Sequence, residues 1–334
     1  MKGIKLKVKL TILALVVLVA IAGCQLNSGA TKLRKGRELL TVDFKENQTL
    51  RYKFVSSRDI VIELNATENN SRPSKRTFDK SSESMEVVIA YKPIEINPYG
   101  LSTIRATCES VRVRRSTSSR RDAVENLTGK SYTFTVGPTG RIEDYSQLNE
   151  LLKKIGEKAF RTDTNTGRIK EPDMICDFIA SQWFLWDSIS SIKEPSKGVA
   201  AGQSWKSKLS VPGPMVMRKA RSVTYSLDEI RESENGKLAV ISSSYDTTES
   251  VPNSWPIPYS GRFQMSGPFG FYRNYQILSL QGDSEEIFNI DVGRTEKYSQ
   301  QYKMLMSASL LMPLPGVNPK ITIEQKLTME LLEK

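Results

Sequence analysis

The side chains able to do chemistry in this chain are few in kind. No histidine occurs among its 334 residues. That removes Ser-His-Asp and Cys-His nucleophile systems, His-ligated zinc and imidazole acid–base catalysis. The thiols are Cys24, Cys108 and Cys176. Outside the cytoplasm Cys108 and Cys176 form a candidate disulfide, worth about 4 kcal/mol in a chain-entropy account. The alternative is a pair of buried, unpaired thiols. Gly129-Lys130-Ser131 has the tail of a phosphate-binding loop, but Val124 stands where that loop needs glycine. Ser190-Ser191-Ile192-Lys193 has S-x-x-K spacing without an S-D-N or K-T-G partner. The 37 acidic residues leave room for a glycosidase-type carboxylate pair, yet no local signature names one. No catalytic residue, metal-ligand set or cofactor is therefore nominated.

Cys24 has the most informative surroundings. Lys2, Lys5, Lys7 and Lys9 are followed by an uncharged run from Leu10 to Ala22. As a helix that run spans roughly 20 Å, short of the about 30 Å of a bilayer's hydrocarbon, which suits a signal-peptide core. The closing Ile21-Ala22-Gly23-Cys24 resembles the lipobox of bacterial lipoproteins. That resemblance implies cleavage between Gly23 and Cys24, diacylation of the Cys24 thiol, and a partner membrane held through the N-terminal lipid. An uncleaved anchor and an ordinary secretory peptide are the alternatives. Two acyl chains already anchor a protein stably. Gln25 is not the aspartate that signals inner-membrane retention in enterobacteria, so the resemblance favours the outer membrane of a bacterial envelope.

Loss of residues 1–23 would lower the net charge from +11 to about +7. A surplus of that size suits proximity to anionic lipid or cell-surface polymer and is too diffuse for nucleic acid. The densest basic patch is Arg112, Arg114, Arg115, Arg120 and Arg121, read as a solvated strand face entering a loop. With 39% hydrophobic residues the chain can bury a substantial core.

The elements follow from periodicity. Residues 24–45 lack it and are expected to be a lipidated tether. Residues 46–145 alternate apolar and polar side chains in several strands, with residues 65–83 expected as a loop. Gly137-Pro138-Thr139-Gly140 marks a hairpin. The spacing turns helical over 146–200, where two inserted helices are expected: one carries Leu148, Leu151, Leu152 and Ile155, and another runs from Pro172 to Ile189. The second is apolar on more than one face, so it is either core or the wall of an apolar pocket lined by Phe178, Trp183, Trp186 and Ile189. Strands resume over 201–334, with Gln281-Gly282-Asp283 expected as a turn. Residues 47–54 resemble 202–209, and 132–137 resemble 287–293, at shifts of 155 and 156, so the two β-units are candidate repeats.

The expected fold is α+β and β-rich: a large curved antiparallel sheet or half-barrel with inserted helices. Such an architecture is similar to the half-barrels of lipoprotein-carrier proteins of the bacterial envelope, which implies helices closing over an apolar cavity. Three functions remain open: a non-enzymatic envelope lipoprotein binding an apolar ligand or lipid, a structural lipoprotein binding another envelope protein, and a carboxylate-based glycan hydrolase. Replacing Cys24→Ser is expected to leave the precursor uncleaved and without acyl mass, which intact-protein mass spectrometry reads directly.

Overall fold

A computed structural model describes residues 36–66, 77–161, 167–212, 220–249, 256–312 and 317–332. Gly23 and Cys24 lie outside the described residues, and so does most of the expected tether. Its last part does not behave as a tether. Arg37–Glu38 pairs antiparallel with Val199–Ala200, and Leu40, Val42 and Phe44 are buried. Their i, i+2, i+4 spacing is that of a half-buried extended segment, so the fold begins near Arg37 rather than at residue 46.

Eleven strands form one antiparallel sheet. In chain order they are β1 (Leu50–Ala66), β2 (Thr77–Ile96), β3 (Ser102–Arg115), β4 (Ser131–Val136) and β5 (Ile142–Asp144). After the helical segment come β6 (Ser204–Ser210), β7 (Ala220–Ser233), β8 (Gly236–Thr248), β9 (Tyr272–Asn289), β10 (Arg294–Leu310) and β11 (Val317–Leu332). Their order across the sheet is β6-β7-β8-β9-β10-β11-β1-β2-β3-β4-β5. Each half is a meander of neighbouring strands. The last strand closes on the first, joining the two expected β-units edge to edge, while β5 and β6 remain as free edges.

The expected repeats occupy matching places, β1 with β6 and β4 with β9, the first and fourth strands of each meander. Their lengths run in opposite senses: 17 against 7 residues, and 6 against 18. The likeness is therefore one of order and not of strand-for-strand shape.

Two turn signals behave differently. Pro138 and Gly140 close the β4–β5 hairpin as expected, with Gly140 at φ +77° and its N–H bonded to Gly137 O at 2.9 Å. Gly282 makes no turn and sits mid-strand in β9. A Cβ there would lie 2.3 Å from Gln301 O, so glycine serves close approach to β10. Part of the expected loop at 65–83 is likewise strand, since β2 starts at Thr77.

The helical segment holds three α-helices among the described residues, not two. They are α1 (Ser146–Glu157), α2 (Ile175–Phe184) and α3 (Asp187–Ser190). The expected second helix starts three residues after Pro172, where Asp173 Oδ1 accepts the Ile175 N–H at 3.2 Å. It breaks at Trp186, whose φ of −134° leaves the helical region. The α1 helix buries Leu148, Leu152 and Ile155, while α2 is buried along most of its length against the sheet.

Apolar burial of Ile175, Phe178, Ile179 and Phe184 packs α2 on the sheet, and a set of polar bonds fixes its position there. Arg58 Nη1 donates to Asp177 Oδ2 at 2.6 Å, and Ser56 Oγ donates to Asp177 Oδ1 at 3.0 Å. Gln325 Nε2 donates to Asp177 as well. One turn on, Gln182 Oε1 accepts the hydroxyls of Tyr91 and Tyr132, each at 2.7 Å. Around these bonds lies the apolar core, in which Trp186 meets Phe44, Tyr91 and Phe134 with ring centroids 5.7–6.1 Å apart.

A second buried polar centre lies under α3. Asp187 accepts Tyr225 OH at 2.8 Å and Ser207 Oγ at 3.1 Å, and burial still pushes its carboxyl up to about 6. Burial pushes Glu286 up to about 7, with Asp187 adding to the effect.

Two outcomes follow for stability. Asp177→Ala leaves the buried Arg58 short of one counter-charge and is expected to cost about 3–5 kcal/mol in urea unfolding; a loss below about 1 kcal/mol would contradict the clamp. Glu286 binds its proton more tightly folded than unfolded, so its contribution to stability falls as pH rises from about 4.5 to about 7. Glu286→Gln is expected to flatten that decline and to raise the urea midpoint at pH 8. The chain's lack of histidine keeps that window clear of imidazole titration.

Candidate ligand-binding cleft

The site expected from the sequence is filled. Phe178, Trp186 and Ile189 are buried in the core at 0–4% exposure, and half-buried Trp183 packs edge-on against Tyr145 at 5.4 Å. Phe178 and Trp183 lie on α2, Trp186 at the break and Ile189 on α3, and this segment packs into the core on the inner face of the sheet. None of the four lines either of the larger clefts among the described residues.

The two cysteines are not bridged. Cys108 lies on β3 opposite Ile89, Cys176 lies on α2, and both are free thiols. Burial pushes each thiol up to about 12, so both stand protonated at neutral pH, as befits unreactive packing groups.

An open cleft lies instead where the sheet extends past α2. It has a volume of about 660 Å³, within the range of small-molecule sites. Four walls build it: the outer ends of β1 and β2, the loop from β3 to a short 3-10 turn at Ala123–Leu127, residues 158–161 with 171–172, and Ser266–Phe269 before β9. Phe160–Arg161, Ile169–Lys170 and Gln264–Met265 pair into a small three-stranded sheet that fixes two of these walls to each other.

The floor is apolar. Ile62, Ala123, Ala159 and Phe269 are each at most 9% exposed, with Phe160, Pro172 and Pro268 beside them. Phe160 is held by Phe263 at 5.4 Å and by the guanidinium of Arg168, 3.9 Å above its ring.

Three of the four carboxylates lining the cleft, Glu83, Asp122 and Glu171, are already in use. Glu83 receives Arg58 Nε and Nη2 at 3.0 and 2.7 Å and Arg115 Nε at 3.4 Å. Burial works against its charge, but Arg58 and Arg115 outweigh that and hold its carboxyl below the usual range. Asp122 takes Arg115 on one oxygen; the other accepts Val124 N–H at 2.8 Å and so caps the 3-10 turn. Burial nevertheless pushes Asp122 up to about 6. Glu171 gathers Arg120, Arg161 and Ser266. A general acid or a nucleophile needs a free oxygen facing substrate, and these three carboxylates have spent theirs on arginine, serine and backbone.

The cations of the rim are held less firmly. Arg121 is 70% exposed, and its contact with Glu125 is 3.5 Å long. Lys158 and Arg114 are exposed and make no ion pair among the described residues. Arg114, Arg121 and the serines at 118 and 119 also line a smaller hollow that shares Arg115, Ser118, Arg120 and Arg121 with the main cleft. Of the basic cluster read from the sequence, Arg120 and Arg121 stand on the cleft's rim, Arg115 lines it from a buried position, and Arg114 lines only the smaller hollow. The cluster's remaining member, Arg112, stands on β3 opposite Glu86.

No protein-family model matches the chain, and no curated protein matches it. Among solved structures, one described as "lipid-protein interactions in lipovitellin" is similar over 87% of this chain and 26% of that one, with 10% identity and a TM-score of 0.38. The chain spans about a quarter of the length of that structure's chain. A likeness that distant fixes neither fold nor ligand.

Proposed function

We propose that this chain is a lipid-anchored protein of the bacterial envelope that binds an apolar ligand, without catalysis, in the cleft beyond α2. The cleft's apolar floor carries the proposal: Ile62, Phe160, Pro268 and Phe269 line an open space in a chain whose other large apolar groups are mostly packed away. Engagement of Glu83, Asp122 and Glu171 by arginine, serine and backbone argues against a hydrolase. The lipobox-like stretch ending at Cys24 supports anchoring, and Gln25 favours the outer membrane.

The binding role has a direct test. A solvent extract of the purified full-length protein, analysed by mass spectrometry, is expected to contain an apolar compound in about stoichiometric amount. Pro268→Asp puts a charge at the exposed end of the floor and is expected to lower that occupancy at least tenfold while leaving the unfolding free energy within about 1 kcal/mol of the parent. An empty parent protein that also takes up no added amphiphile would contradict the proposal.

A further inference from the structure

We infer that the ligand of this cleft is an anionic amphiphile, its acyl part on the Phe160–Phe269 floor and its carboxylate or phosphate between Arg121 and Lys158. The inference rests on the binding role proposed above and adds the charge and orientation of what is bound.

Two observations together point to an anion. First, the rim presents cations whose charge the protein does not neutralise. Lys158 ends α1 with no ion pair among the described residues, and Arg121 keeps only one long contact. Arg114 extends the same positive rim into the adjoining hollow. Secondly, three of the four acids lining the cleft have their charge met by arginine, and Glu83 and Asp122 are also buried. Glu83, Asp122 and Glu171 each accept at least one guanidinium, and Arg115 bridges the first two. Asp79, directly opposite the floor residue Ile62 on the neighbouring strand, is the one carboxylate lining the main cleft that has no ion pair among the described residues. It sits beside the floor end, near Tyr272, whose hydroxyl it helps to hold above its ordinary range after burial. An anionic head is therefore drawn to the Arg121–Lys158 side and turned away from Asp79. A guanidinium offers a planar fork of donors to carboxylate or phosphate, and an ammonium adds a mobile point charge.

The floor excludes a bare anion as the full occupant. A phosphate on the rim would leave the open surface of Phe160 and Pro268 uncovered, whereas each methylene covered there contributes about 0.8 kcal/mol. Phe271, two residues beyond Phe269 in the same 3-10 turn, adds an exposed apolar ring next to the floor in sequence.

Three probes separate the charge from the chain: myristate, myristyl alcohol and inorganic phosphate, titrated into delipidated full-length protein by calorimetry at 50 mM and 500 mM salt. Myristate is expected to bind at least tenfold more tightly than the alcohol at low salt, with the gap closing at high salt. Arg121→Ala with Lys158→Ala is expected to erase the gap and leave the alcohol's affinity within twofold. Equal binding of acid and alcohol by the parent overturns the anionic head and leaves the apolar site standing. Binding of neither overturns the apolar site itself. Phosphate binding as tightly as myristate overturns the amphiphile in favour of a free anion. Bound myristate that protects Lys158 from acetylation supports the orientation, and acetylation unchanged by it overturns that orientation.

Discussion

A belt of polar side chains crossing the inner face of the sheet is the constraint on which this architecture depends. Arg115, Glu83, Arg58, Gln325 and Tyr302 stand directly opposite one another on five successive strands, β3, β2, β1, β11 and β10. Asp177, on α2, meets the middle of that row through Arg58 and Gln325. The Arg58 guanidinium is fully buried. Its burial disfavours the charge, but Asp177 and Glu83 outweigh that and keep it protonated. An ion pair so placed is weak evidence of net stability and strong evidence of register, because shifting any of these strands by one residue turns its charge to the outer face. The belt therefore fixes where the helix lies and which strands meet where β11 closes on β1.

The belt also marks the boundary of the apolar core. On one side of it α2 and α3 fill the inner face with Phe178, Phe184, Trp186 and Ile189. On the other side β1 and β2 run on past the helices, and the exposed wall they leave is completed by residues 158–161 and 171–172 and by Ser266–Phe269. The cleft exists because the strands outlast the helices that cover them. Glu83 and Arg115 belong to both features, so the bonds that anchor α2 also engage Glu83 and, through Arg115, Asp122.

Much of this was legible in the sequence, and the misreadings have physical causes. Alternation identified nearly all of the long strands, and helical spacing identified α1. The belt was written in the same alternation. Ser56 and Arg58 fall on the apolar phase set by Leu50, Tyr52, Phe54, Ile60 and Ile62, as Gln325 does between Ile323 and Leu327. A charged residue on an inward phase announces a buried partner, and Asp177 in the middle of an apolar helix was that partner. Periodicity alone does not distinguish a helix that fills a sheet from one that lids a cavity, since both are apolar all round. The cleft was less visible still. Its walls come from segments more than a hundred residues apart, and its floor residue Phe160 sits in a two-residue strand too short to show a period.

The central claim is that the ligand lies beyond the polar belt, on the Phe160–Phe269 floor, and not among the tryptophans of the helical segment. Photolabelling the full-length protein with a fatty acid carrying a diazirine in its chain, followed by peptide mapping, addresses this most directly. The account predicts adducts in residues 158–161 and 266–271. Adducts confined to 178–189 would contradict it.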